Sequence, residues 1–420
     1  MTASATPATD PSARPLRILT FLKSFDPGGV EKVAIRLAEA WHDGGAVVHV
    51  LMGEDRGAMR DTAPSLSYAF CTTAEKPRRW RPSLRLLARL PMTVRQFRPD
   101  VIFVAGNTYA GIAVALKLLL GSACPPIVLK VSNDLERADM APVLRAAYRQ
   151  WLRIQGRFVD QFVGMAEANR PELTAAFGVT DDRVSIVHDP AVSQAQVRRM
   201  ARLRSVPAMA SGRRFLAVGR LVPQKNFALL VHAFADVACA SDELVILGEG
   251  PSRDRILQTA AERGVRDQVL MPGHGDPSAW LAQSDLFVLS SDYEGVPAVV
   301  IEALAAGLPI VATRCSVAMP ELLGAGRFGR LVPRRDRRAL ADAMRSGAGG
   351  PASRAAMQRQ ALRFTIEAGA PAYCDVFRLL ADRAVRQADQ SGQRLEDPSQ
   401  AMSVPYRAQS ASTAAAVRRV

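Results

Sequence analysis

The 420-residue chain reads as an α/β protein of two Rossmann-like domains facing across a cleft. Three observations predict that class. Short apolar strand patterns alternate with helical stretches, which implies parallel sheets with helices on both faces. The alternation runs twice, and each series opens on a strand, a tight loop and a helix. Between the two series lies 188–212, rich in Ala, Arg and Ser and without a strand pattern. A hydrophobic content of 48% and a charged content of 22% suit globular domains with a substantial core.

The polar start, 1–14, predicts disorder and carries no secretory signal pattern. A strand pattern follows at 16–22, then a loop at 24–30 and helical spacing over 31–41. Further strand patterns fall at 47–52, 101–105, 127–131 and 158–164. The second series begins with a strand at 214–219, a loop at 220–226 and a helix at 227–238. Its later strands are expected at 244–247, 269–271, 285–290 and 309–313. These signals divide the chain into an N-terminal domain over 15–188, a connector over 189–212 and a C-terminal domain over 213–365. The segment 387–420, rich in Gln, Ser and Ala, predicts a disordered tail.

The strongest chemical signal lies at 292–313. The preceding strand turns at Gly295, and Pro297 fits the first helical position, where its missing N–H costs nothing. Val296 has no side-chain oxygen to cap the N–H groups of Ala298 and Val299. Spare N–H groups at the positive end of a helix favour phosphate. Glu294 falls in the loop at the carboxyl end of the strand, and Glu302 more than a turn inside the helix. Carboxylates repel phosphate, so this pair suits the hydroxyls of a sugar or ribose. A turn residue and a helix-dipole partner explain the same spacing equally well.

Arg220 and Lys225 stand just beyond another strand, at the same sheet edge as Glu294, where two cations would neutralise a departing diphosphate. Gly248 with Gly250, and Gly273 with Gly275, form incomplete G-x-G loops that admit a nucleotide or simply turn the chain. Gly28 and Gly29 bring backbone N–H groups to the first strand-to-helix loop, where a plain turn is the equal alternative. His274, in a loop at the ligand edge, is placed to meet a base. Neither H-E-x-x-H nor D-x-D occurs, and no metal site is expected.

The net charge of +14 calls for an anionic partner. Nucleic acid is not expected, because aromatic residues make up 6% and no basic-aromatic motif appears. Five scattered cysteines argue for reduced thiols in a cytoplasmic protein. The most apolar stretch, 109–131, is broken by Lys117 and by 121–126, so no membrane span is expected. Segment 76–98 carries many cations and no acid, with Leu84, Leu87, Leu90, Val94 and Phe97 on one approximate helical face. It suits an anionic membrane surface or a core helix with a basic outer face, and Pro91 argues against a continuous helix.

EGVPAVVIEALAAGLPIVAT at 294–313 joins VGRLVPQKN at 218–226, LVILGEGP at 244–251, MPGHGDPSAWLAQSDLFVLSS at 271–291 and PGGVEKV at 27–33. The ordered set resembles the retaining GT-B glycosyltransferases of family four, over most of the chain. That resemblance implies a nucleoside-diphosphate sugar as donor, no cofactor, usually no metal, and transfer with retention of configuration. Arg220 and Lys225 would hold the diphosphate, Glu294 the donor-sugar hydroxyls and Glu302 the ribose. Gly295, Val296, Pro297, Ala298 and Val299 would line the donor, and Gly28 and Gly29 would close on it from the other domain. A final helix over 366–386 would cross back onto the N-terminal domain.

Two departures from the family pattern stand out. Asn133 and Asp134, the acceptor-side candidates, occupy the neighbourhood where many relatives carry a histidine. Segment 314–321 lacks the usual glycine pair before Glu321. The resemblance implies sugar transfer to a glycan or lipid-linked acceptor in cell-surface polysaccharide or glycolipid synthesis, on the inner face of the plasma membrane or free in the cytoplasm. The rivals are a glycoside hydrolase using Glu294 and Glu302, a basic nucleic-acid-binding protein and an inactive scaffold of the same fold.

Overall fold

Near-continuous runs of Val, Ile, Leu and Phe build two all-parallel sheets, buried on both faces as such sheets require. The computed structural model describes residues 14–26, 28–71, 82–132, 135, 137, 140–203, 212–347 and 353–390. Of the segments expected to be disordered, 1–14 and 387–420, residues 1–13 and 391–420 lie outside these residues, as does the start of the basic segment 76–98, whereas 387–390 continue the last helix.

The first sheet contains β1 (Arg17–Leu22), β2 (Val47–Met52), β3 (Ser67–Phe70), β4 (Val101–Val104), β5 (Ile127–Lys130), β6 (Gln161–Gly164) and β7 (Val184–Ile186). Its order is β3-β2-β1-β4-β5-β6-β7. The second contains β8 (Arg214–Val218), β9 (Glu243–Leu247), β10 (Val269–Gly273), β11 (Leu286–Leu289), β12 (Ile310–Thr313) and β13 (Arg330–Val332), in the order β10-β9-β8-β11-β12-β13. In each sheet the order reverses once, between β1 and β4 and between β8 and β11. A crevice opens at such switch points, beyond the carboxyl ends of the strands.

Several sequence expectations are corrected. Phe158 ends the helix Pro142–Phe158 instead of starting a strand. Strands β3, β7 and β13 were not anticipated; each is short and has a partly exposed face. The helix Pro82–Phe97 runs through Pro91 without a break, and it buries Leu86, Leu90 and Val94 while leaving Leu84 exposed. The segment between the sheets holds a helix, Gln194–Leu203.

The last helix, Ile366–Gln390, packs on the N-terminal sheet. Tyr373 and Phe377 join Trp41 and Phe103 in one aromatic cluster, and Trp41 Nε1 donates to the Ala370 carbonyl at 3.1 Å. A second tie joins the domains at Glu321, which accepts from the Glu167 N–H at 2.9 Å and lies 2.7 Å from His188 Nε2.

Candidate active site

The chain leaves β11 and enters the helix Ala298–Ala306. Pro297 is the N-cap instead of the first helical residue, so the helix starts one residue later than expected: its extended backbone, with ψ at 107°, lets its carbonyl accept from Val300 N–H at 3.0 Å. No side chain caps this start, and its first turn carries no acid. The helix end therefore keeps its partial positive charge open to a ligand.

Glu294 sits in the loop before it, and its carboxylate forms an ion pair with Lys225. Ser291 Oγ donates to the same oxygen at 2.7 Å, and the Glu294 N–H donates to the Cys315 carbonyl at 2.9 Å. Burial, with the neighbouring Glu294 charge, pushes the Cys315 thiol up to about 12. Lys225 and Glu294 are thus joined by the β8/β11 switch point, although 69 positions separate them. Arg220, on the same loop as Lys225, is exposed, and its guanidinium makes no hydrogen bond or ion pair among the described residues.

Asp292 escaped the sequence reading. It accepts two hydrogen bonds from Arg335 at 3.0 and 2.8 Å and one from Asn226 at 3.0 Å. Asn226 is left-handed, with φ at 47°, and its side chain caps the helix Phe227–Ala235. This brace fixes the β8 loop against the β11 loop. An acid beside the motif was visible in sequence, but its remote partner Arg335 was not.

The glycines have different reasons to be there. A Cβ on Gly248 would lie 1.9 Å from the Gly219 carbonyl, and one on Gly250 would lie 2.5 Å from that of Leu221. Both are needed to pack the β9 loop on the β8 loop, independently of any nucleotide. Gly295 serves the other domain, because a Cβ there would come within 2.3 Å of the Ser132 carbonyl and 3.1 Å of Met165 Cε. His274 is exposed beyond β10.

Glu302 is half-buried and makes no hydrogen bond or ion pair among the described residues. Burial raises its carboxyl to about 7, against the pull of Lys32 and Arg36 on the facing N-terminal helix Gly29–Asp43. Gly28 caps that helix without a side-chain bond. The space above Gly28 is filled by Glu31, whose other oxygen accepts from Tyr109 Oη at 2.7 Å. Asn133 and Asp134 lie outside the described residues.

On the opposite side of Glu294 a cavity of about 440 Å³ opens between the domains, walled by Val131, Asn169 and Leu173 on one side and by Arg314, Ser316 and Val317 on the other. Among the described residues, no group of three or more His, Cys, Asp or Glu side chains is placed to hold a metal. No helix among them is long and apolar enough to cross a membrane.

Two family models match in tandem. Residues 27–193 match Glycosyltransferase Family 4, and residues 212–347 match Glycosyl transferases group 1. The chain belongs to the family-four-type GT-B glycosyltransferases. A Campylobacter jejuni relative, an N-acetylgalactosaminyltransferase named for a diphospho-undecaprenol-linked acceptor, is 23% identical over 74% of this chain and 84% of its own. The colanic acid glycosyltransferase WcaL of Salmonella typhimurium is 34% identical, over 33% of this chain and 36% of its own. Among solved structures, a Rickettsia africae glycosyltransferase aligns with a TM-score of 0.68 at 13% identity, over 88% of this chain and 99% of its own. Anabaena HepE, solved with UDP and glucose, aligns at 0.62 and 19%, over 90% and 100%. These likenesses establish the two-domain GT-B fold of this glycosyltransferase.

Proposed function

We propose that this glycosyltransferase moves a sugar from a nucleoside-diphosphate donor to a glycan or lipid-linked acceptor, with retention of configuration and without a metal ion. One observation carries the reading. The uncapped helix start at Ala298 adjoins the Lys225–Glu294 pair at the β8/β11 switch point. As the anomeric carbon leaves its diphosphate oxygen, negative charge grows on that oxygen. Fixed positive groups lower the barrier there. Arg220 and the Ala298 helix end supply them, and Lys225 has three donors, so it can hold Glu294 and still reach a phosphate.

Held this way, Glu294 is positioned to accept from donor-sugar hydroxyls. Glu302, without a partner among the described residues and facing the helix Gly29–Asp43, would accept from the ribose. The two carboxylates answer to different partners, which disfavours their joint use on one glycosidic bond. Incubation with a panel of nucleotide sugars and lipid-linked glycans, in EDTA, tests the proposal. A product whose new linkage keeps the donor's anomeric configuration by NMR supports it, and sugar release without any nucleotide donor refutes it.

The helix Pro142–Phe158 favours an anionic membrane as a partner. Val143 and Leu144 are 81% and 63% exposed beside Arg145, Arg149, Arg153 and Arg157, and the helix has no acid. It begins at the carboxyl edge of the N-terminal sheet, where the cleft opens. Cosedimentation with phosphatidylglycerol vesicles, absent with phosphatidylcholine, would support this; equal binding to both would count against it.

A further inference from the structure

The loop 314–321 departs from the family pattern, and the donor reading above uses none of it. Arg314, Ser316 and Val317 line the interdomain cavity, whose volume of about 440 Å³ suits a small ligand. Strand order fixes where that cavity lies. In the sheet β10-β9-β8-β11-β12-β13, the donor candidates Arg220, Gly248 and His274 follow β8, β9 and β10. Arg314 follows β12 and Arg334 follows β13. Glu294 and Gly295, after β11, line the cavity as well, so it adjoins the donor edge and extends from it toward β12 and β13.

Its charge is unbalanced. Lys225 neutralises Glu294, and Arg335 and Asn226 occupy the Asp292 carboxylate. Among the described residues, Arg334 meets only the Asp292 backbone carbonyl, at 3.3 Å. The Arg314 guanidinium makes no hydrogen bond or ion pair among the described residues. Among the described residues, Asn169 Oδ1 and Ser316 Oγ are buried without partners, which costs free energy unless a ligand supplies them. Leu173 and Val317 add apolar surface of the kind that receives the face of a sugar ring. Glu172 also lines the wall, and it is not a free carboxylate.

We propose that this cavity binds a sugar residue bearing an anionic group, a carboxylate or a phosphate, paired with Arg314 while Asn169 Oδ1 accepts from a hydroxyl. A guanidinium matches either anion with its planar fork. The inference rests on the donor reading of the β8/β11 edge, because that reading leaves this cavity for a second sugar or for the far side of the donor sugar.

The test is calorimetry on the full chain. Glucuronic acid, glucose 6-phosphate and glucose are titrated with and without UDP, and UDP-glucuronic acid is compared with UDP-glucose. The anionic sugars should bind at least tenfold more tightly than glucose. Arg314→Gln should remove the preference and Arg314→Lys should keep part of it, with UDP affinity unchanged in both. An anion carried by the acceptor predicts that free glucuronic acid binds together with UDP-glucose. An anion carried by the donor predicts that UDP-glucuronic acid outbinds UDP-glucose and excludes the free acid. Equal binding of glucose and the anionic sugars, or a preference that survives Arg314→Gln, would overturn the proposal. An Arg314-dependent preference in a chain that binds no nucleotide would sustain the cavity and remove the donor reading.

Discussion

The helix starts at Gly29 and Ala298 face each other across the cleft, and they begin from the same chemistry. Each follows a strand at a switch point, and neither has a side-chain cap. The N-terminal one supplies its own anion, since Glu31 lies over Gly28 and is held there by Tyr109. The C-terminal one has no acid in its first turn and has Lys225 close at hand. A helix end attracts an anion, but the residues around it decide whether that anion is a side chain or a ligand. A phosphate at Gly28 would have to displace Glu31, so the donor reading rests on the C-terminal start.

The largest test of this contrast is at the Lys225–Glu294 pair. Lys225→Ala or Glu294→Ala should lower kcat by at least about a hundredfold, the scale on which one charge-stabilising group acts, with a native circular-dichroism spectrum. Wild-type-like turnover would remove the pair from the chemistry.

Next comes Glu302. Its carboxyl titrates at about 7 when folded against 4.5 ordinarily, so its contribution to stability is complete below pH 4.5 and is lost as pH rises through 7. Glu302→Gln should therefore leave stability at pH 4.5 unchanged and add about 3 kcal/mol at pH 8, read from urea midpoints. In the wild-type protein, donor affinity should rise from pH 6 to pH 8 as the carboxylate forms, and the glutamine variant should lose that dependence.

Gly295→Ala should cost about 1–3 kcal/mol by pressing on Ser132, and it should lower transfer more than a surface control measured beside it. The smallest change belongs to Glu31→Gln. It relieves the anion at the N-terminal start, and UDP affinity should rise by about fivefold or less, near 1 kcal/mol. A rise as large as the loss at Lys225 would reverse the ranking of the two helix ends.

The parallel sheets were legible because their central strands are unbroken apolar runs, such as Val101–Val104 and Leu286–Leu289. The edges were not. Arg330–Val332 is three residues long, and Val184–Ile186 buries one of its three. Such strands hold their place through a neighbour, which leaves little periodicity to read. At the site, Glu294, Lys225 and the helix start could be named from local pattern. The Arg335 brace on Asp292 and the cavity behind Glu294 depend on distant segments meeting, and the N-cap role of Pro297 depends on one ψ angle.

The last helix has a consequence for how the chain is made. Residues 214–332 carry every strand of the C-terminal sheet, so that sheet can pair as soon as they have left the ribosome. The N-terminal sheet emerges first, yet its cluster around Trp41 and Phe103 waits for Tyr373 and Phe377. Until Tyr373 and Phe377 have been made, one face of the earlier domain is open to other chains.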